Sequence, residues 1–227
     1  MGGKGADRHQ RFHRRSLAGP LPHHRAALQL HRRDRAAARG NRATHHADAI
    51  VLEAREPGWG ASGNNGGQLN PGLKLDPDTV EATFGADLGR RMIAFAYNTP
   101  VFTLELIRRL AIACEARQNG TLRAAYQESH AAAVETTAQQ CIRRGMPVTV
   151  LDRNALREVT GTDRYIRAMF DSRGGDVQPL SYARGLARAA LAAGAAIHGQ
   201  TPALSLRRES ARWRIETPRA VVRAEKV

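Results

Sequence analysis

The chain has 227 residues, 42% of them hydrophobic, and its 35 Lys and Arg outnumber 21 Asp and Glu for a net charge of +14. That length suffices for one or two domains with a real core, and no apolar run approaches the roughly 18 residues that a membrane span requires. Cys114 and Cys141 make no CxxC pair and no secretory signal is present, so a reduced cytoplasm is the default location.

The positive charge is concentrated at the start. Residues 1–48 hold Lys4 and ten arginines against Asp7, Asp34 and Asp48, so +8 of the +14 lies there, with seven of the nine histidines. Arginine clusters neutralise phosphates, so one reading is a basic arm that contacts nucleic acid or another anionic partner. Against nucleic acid stands the lack of aromatic interleaving and of any recognisable nucleic-acid module. His23-His24 and His45-His46 have no Cys or acidic partners at zinc-type spacing, so no metal site is expected. A targeting peptide does not fit, because the charge is never interrupted by an apolar core.

The informative stretch follows. Ile50-Val51-Leu52 is a short apolar run that stops at Glu53, and reads as a buried strand ending in a carboxylate. The second strand of a dinucleotide-binding sheet has this pattern, its acid accepting hydrogen bonds from a ribose diol. GASGNNGGQ follows, with five glycines between Gly58 and Gly67. Glycines there let the backbone approach a large planar or phosphorylated ligand.

Asn70-Pro71-Gly72 signals a turn. Asp76-Pro77-Asp78 reads as a helix start, with Glu81 placed three residues after Asp78 as in a capping box. From Ala86 to Leu110 the residues Leu88, Met92, Ile93, Phe95, Ala96, Phe102, Leu104, Leu106, Ile107 and Leu110 recur at helical spacing. The aromatic positions are expected in the core, and Pro100 predicts a kink or two helices. Cys114–Arg117 and Gly120–Ala125 read as strands of a hairpin turning at Asn119-Gly120. Ser129 is expected to cap a helix to about Arg144, stopped by Gly145. Val148–Leu151 reads as a strand, and Asp152 as the cap of a helix through Val159. Pro179 sits at a plausible first helical position, with Leu180, Ala183, Leu186, Ala187, Ala190 and Leu191 as a buried stripe. Gly194 ends that helix. Strands are expected at Ala195–His198, at Trp213–Thr217 and at Ala220–Val227.

VLEA followed by GWGASGNNGGQ resembles the FAD-dependent amine and amino-acid oxidases of the D-amino-acid oxidase family, above all gamma-glutamylputrescine oxidoreductase-like proteins. C-x-x-x-x-NGTLRAA and FDSRGGDVQPLSYARGLARAALAAGAAIHG match the same pattern further on. The resemblance covers about residues 49–227, roughly the first half of a full-length member. It implies FAD as cofactor, with Glu53 on the adenosine ribose. Ala61, Ser62, Gly66, Gly67 and Gln68 would lie along the pyrophosphate and flavin, and a strand beginning near Thr201-Pro202-Ala203 would read the adenine through the backbone at Ala203. The family commonly has Arg where this chain has Asn64. It also places a GxGxxG motif just before the VLEA strand, and residues 1–48 contain none. The abrupt change to Arg, His, Ala and Pro suggests a frameshift or mis-called start, the family's frame resuming near Ala47–Ile50.

The expected fold class is α/β (α+β), a partial FAD-binding Rossmann-like domain joined to part of a sheet-plus-helices substrate domain. Residues 1–48 are expected to be a basic segment, non-homologous or disordered, with 49–75 and 176–227 the FAD-binding portions and 76–175 the partial substrate domain. The implied reaction is oxidation of an amine or amino acid, of the gamma-glutamylputrescine kind, by hydride transfer to flavin, impaired by truncation. No catalytic residue is nominated, since many relatives need no protein base, and His130 and His198 read as structural. The alternative is a non-catalytic relic or binding module whose basic arm contacts an anionic partner.

Overall fold

The structure is a computed structural model that describes residues 49–227. The expectations about the basic arm, the histidine pairs and the missing glycine motif lie outside those residues. What is described is mixed α/β, with helices set among four small sheets.

The apolar run forms β1 (Ile50–Leu52), which pairs in parallel with a late strand, β7 (Ala196–His198). The expectation of a buried strand is corrected: Ile50 is 37% and Val51 47% exposed. Its one strand neighbour among the described residues is β7. The glycine-rich loop leads into β2 (Gln68–Leu69), which pairs antiparallel with β6 (Gly175–Asp176). The two glycine-containing stretches of the sequence, 58–67 and 174–175, are thereby stitched together.

Between these pairs lies the best-packed part of the chain. Helix α1 (Pro77–Phe84) starts as the sequence predicts, but Asp76 is its cap, accepting the Thr79 N–H at 3.1 Å. Glu81 does not close a capping box. It pairs instead with Arg144 at 2.9 Å, and Asp78 pairs with Arg143 and Arg144 at 3.0 and 2.8 Å, so α1 is tied to the end of a later helix.

Helix α2 (Ala86–Arg109) is continuous through Pro100, where an interruption is expected. Proline removes the N–H that would bond the carbonyl four residues back. That carbonyl, on Ala96, accepts the Thr99 hydroxyl at 2.8 Å and the Gly72 N–H at 3.3 Å instead. The proline thus frees an acceptor that anchors the segment following the glycine-rich loop. Ile93, Tyr97, Leu104 and Ile107 face inward, whereas Phe95 and Phe102 are 77% and 61% exposed, so neither phenylalanine is a core residue.

The expected hairpin does not form. Cys114–Arg117 is no strand; Arg117 instead makes a single bridge to Asp176. Strand β3 (Thr121–Ala125) pairs with β5 (Arg167–Asp171), which also pairs with β4 (Val148–Asp152), giving an antiparallel order β3-β5-β4. Local turn chemistry at Asn119-Gly120 is overridden because Gly120 donates to the Gly174 carbonyl at 3.0 Å. Helix α3 (Glu128–Arg143) covers this sheet and begins one residue before the expected cap Ser129, after Gln127. Asp152 accepts the Ala155 N–H at 2.9 Å and caps α4 (Arg153–Thr160) as predicted. Val80, Ile93, Tyr97, Ala125, Val134, Ala138, Cys141, Val148 and Met169 form one core between α1, α2, α3 and the sheet.

Helix α5 (Pro179–Ala192) starts at the predicted proline and leads into β7, closing the parallel pair. Its expected stripe is half-buried at best; Gly185 is its buried residue and Leu191 is exposed. The chain ends in a meander of β8 (Ser205–Glu209), β9 (Arg212–Glu216) and β10 (Val221–Ala224). No strand begins at Thr201; Ala203 is exposed and precedes β8.

Candidate functional site

The turns that follow β1 and β7 meet at the carboxyl end of the pair. Glu53 N–H donates to the His198 carbonyl at 2.9 Å, the Thr201 N–H donates to the Glu53 carbonyl at 2.8 Å, and the Gln200 N–H donates to the Arg55 carbonyl at 2.7 Å. Two turns, one after each strand, are therefore fixed against each other. The Glu53 side chain folds back so that Oε1 accepts the Arg55 N–H at 2.8 Å, leaving Oε2 without a partner among the described residues. A carboxylate held by its own backbone at one oxygen can offer the other to a diol. Gln200 has φ +52°, an uncommon conformation for a residue with a side chain. Such backbone persists where its surroundings over-determine it.

A cleft of about 490 Å³ opens here, lined by Ala54, Arg55, Glu56, Trp59 and Gln200. The Arg55 guanidinium lies 3.8 Å over the Trp59 ring. Glu56 pairs with Arg184 of α5 at 3.8 Å.

The loop 58–67 is braced by side chains the sequence reading did not credit. Asn64 Nδ2 donates to the Trp59 and Gly60 carbonyls at 2.6 and 3.1 Å, and Asn65 Nδ2 donates to Ala61 and Ser62 at 2.9 and 3.2 Å. Asn65 Oδ1 also accepts the Gly67 N–H at 2.7 Å. Where the family resemblance leads to an Arg, Asn64 satisfies backbone carbonyls of the turn. The signal was present in the sequence: adjacent Asn residues among glycines favour side-chain-to-backbone turns.

Two glycines are dictated by close approach. A Cβ at Gly63 would sit 2.0 Å from the Gly58 carbonyl and 2.8 Å from Leu180 of α5. Gly67, at φ +69°, would press a Cβ to 2.0 Å from the Val177 carbonyl, whose own N–H donates to Gly67 at 2.9 Å. Gly60 and Gly66 are different: a Cβ at either meets nothing within 4 Å, so both border open space. Ala61, Ser62, Gly66 and Gln68 are exposed, Gly67 is buried and Glu53 is half-buried.

A second cluster is largely buried. Asp171 and Arg173 form a two-point ion pair, with Nε–Oδ1 at 2.9 Å and Nη2–Oδ2 at 2.6 Å. The Arg173 guanidinium is 5.3 Å from the centre of the Tyr97 ring, and Cys141 Sγ is 3.5 Å from the Tyr97 hydroxyl. Burial pushes the Tyr97 phenol and the Cys141 thiol above their ordinary values, so both stay protonated and unreactive. Burial does the same to Cys114. Among the described residues no group of three or more His, Cys, Asp and Glu forms a metal site, and no helix is long and apolar enough to cross a membrane.

A parallel strand pair with a carboxylate at its carboxyl end, followed in the chain by a glycine-rich loop, is the arrangement of a flavoprotein oxidoreductase with a Rossmann-like core. Structural neighbours agree on the fold. Glycine oxidase from Geobacillus kaustophilus superposes with a TM-score of 0.63 at 23% identity over 78% of this chain and 46% of that one. L-Amino acid deaminase from Proteus myxofaciens superposes at 0.60 and 14% identity over 77% of this chain and 38% of that one. The chain belongs to the DAO family of FAD dependent oxidoreductases, whose pattern matches residues 26–227. That match begins upstream of the motifs read from the sequence, which start near residue 49.

Among curated proteins, gamma-glutamylputrescine oxidoreductase of Escherichia coli (strain K12) is 36% identical over 143 residues, 63% of this chain and 33% of that protein. The probable oxidoreductase OrdL of Haemophilus influenzae is 26% identical over 179 residues, 78% of this chain and 42% of its own length. The chain therefore spans less than half the length of these relatives.

The residues present fit the family's cofactor as far as they are described. The Glu53 carboxylate has an oxygen to offer a ribose, the adjoining cleft is of the roughly 300–1,000 Å³ typical of small-molecule sites, and the open faces of Gly60 and Gly66 leave room for a flat ligand.

Proposed function

We propose that this chain holds FAD in an oxidoreductase that acts on an amine or amino acid, of the gamma-glutamylputrescine kind. The single observation that carries the reading is the Glu53 carboxylate at the end of β1, its residue pinned by backbone bonds to the turn after β7 and followed in the chain by the glycine-rich loop. Glu53 holds the adenosine ribose. Ala61, Ser62, Gly66, Gly67 and Gln68 follow the pyrophosphate and ring, where small residues keep the backbone close to the ligand. Ala203, exposed just beyond Thr201, offers its backbone to the adenine. Bound FAD supplies the two-electron acceptor for oxidation of the substrate's carbon–nitrogen bond. The protein's share is binding, orientation and exclusion of water.

The domain assignment follows the same logic. Residues 49–75 and 176–227 supply β1, β7 and the loop, and form the cofactor portion. Residues 76–175 carry the β3-β5-β4 sheet with its helices and form part of the substrate portion. Substrate preference rests on the 36% identity to the Escherichia coli relative.

The test is the visible spectrum of the purified chain, with released flavin quantified after denaturation. Near-stoichiometric flavin is expected, and Glu53→Gln should lose it. Anaerobic bleaching by gamma-glutamylputrescine, in preference to glycine, supports the finer reading. A colourless chain that stays colourless with added FAD overturns the proposal. If that colourless chain also binds a polyanion column and elutes with salt, the basic arm of residues 1–48 becomes the functional element.

A further inference from the structure

The cleft beside Glu53 holds a planar pair whose presence the ribose contact does not require. Arg55 and Trp59 both line it, with the guanidinium stacked 3.8 Å over the indole. Trp59 is 57% exposed, so a large aromatic surface is kept at the mouth of the cleft and not in the core. The pair is held in place. Arg55 is fixed through both backbone groups, its N–H to Glu53 Oε1 and its carbonyl to the Gln200 N–H. Trp59 donates its N–H to Glu56 and its carbonyl accepts Asn64 Nδ2. Gln200, which also lines the cleft, brings a side-chain amide able to donate and accept.

A flat cation backed by an aromatic ring is a stacking surface for a purine, since every base has a π-face and guanidinium planes stack on it. The distance from the ribose-binding acid is short along the chain: Arg55 is two residues after Glu53. We infer that Arg55, backed by Trp59, forms the adenine-stacking wall of the site, with Gln200 at the base's edge. This rests on the reading of Glu53 as the ribose ligand and names how the adenine half is recognised. The ligand class is an adenine nucleotide, whether free or as the adenosine half of FAD.

Trp59 and Trp213 are the two tryptophans of the chain, which makes the inference directly readable. Intrinsic fluorescence of the full 227-residue chain is titrated with ADP, with FAD, and with FMN, which lacks the adenosine. ADP should quench the parent and Trp213→Phe but leave Trp59→Phe unmoved, and FMN should not compete with it. Arg55→Ala and Trp59→Leu should each weaken ADP and FAD by about tenfold or more, the scale of one lost base stack. Arg55→Lys keeps the charge but not the plane, and should bind as poorly as Arg55→Ala. If FAD binds the parent and all variants alike, or Arg55→Lys binds as the parent does, the stacking wall is overturned and the cofactor reading stands. If neither ADP nor FAD binds a parent chain that melts cooperatively, the cofactor reading falls and this inference with it.

Discussion

The β3-β5-β4 sheet and the β1–β7 pair are each made of short strands, yet they are held together by different forces. The three-stranded sheet is backed by α3 and by α1 and α2, and its inward residues, among them Ala168, Met169, Val148 and Ala125, are almost fully buried. The parallel pair has Ile50 and Val51 exposed, and behind α5 stands a small cluster of Ile107, Ile112, Cys114 and Val177. Its order comes from backbone hydrogen bonds and glycine contacts. The lesson is that stability and the candidate site reside in different parts of the chain: apolar burial holds residues 76–175 together, while polar geometry shapes the ligand-facing turns.

Substitutions can break this contrast. The largest loss is expected where the well-packed region buries charge. Asp171→Asn leaves Arg173 without its partner in a site where both side chains are nearly inaccessible, and should cost about 3–5 kcal/mol in urea unfolding. Ile93→Ala, in the same core, should cost about 2–5 kcal/mol. Val51→Ala, in the exposed strand, should stay under about 1 kcal/mol. Equal losses at Ile93 and Val51 would erase the distinction drawn here.

On the site side, two adjacent glycines should separate folding from binding. Gly67→Ala combines a left-handed backbone with a collision on the Val177 carbonyl, and should cost on the order of 2 kcal/mol and loosen the β2–β6 pair. Gly66→Ala enters open space, so its melting temperature should match the parent's while flavin retention falls. Unchanged flavin retention in Gly66→Ala would remove Gly66 from the site.

A modest, pH-dependent effect belongs to a cap. The Thr79 N–H, then the Thr79 hydroxyl, hold the Asp76 carboxyl below its ordinary 3.8. A carboxylate with a lowered folded-state pKa stabilises the fold fully above its unfolded value and loses that contribution as pH falls through the folded one. Asp76→Ala should therefore cost about 1 kcal/mol at neutral pH, and the gap from the parent should close as pH drops below 3.8. A gap that persists in strong acid would show that the cap acts by something other than its charge.

Much of this architecture was legible. The helix start at Asp76-Pro77-Asp78, Asp152 as a helix cap, Pro179 as a first helical residue, and Gly145 and Gly194 as stops were readable because capping is settled by a few neighbouring atoms. Glu53 at a strand end beside a glycine-rich loop was readable for the same reason. The failures were of another kind. Helical periodicity placed Phe95 and Phe102 in the core, because it finds the repeat but not which side the neighbours occupy. Asn119-Gly120 predicted a hairpin, but β3 found β5 some forty-five residues further on, and the cross-strand partner decided the pairing. Pro100 predicted a break, but Thr99 and Gly72 satisfy the carbonyl it frees.

The sequence by itself determined the family, the fold class and the local boundaries, since these depend on motifs and contacts within a few residues. The tertiary structure alone decided that Thr201 and Gln200, nearly 150 residues from Glu53, lock the turn that presents it. Such contacts follow from the closure of β1 against β7, and a linear pattern carries no term for chain segments that meet after folding.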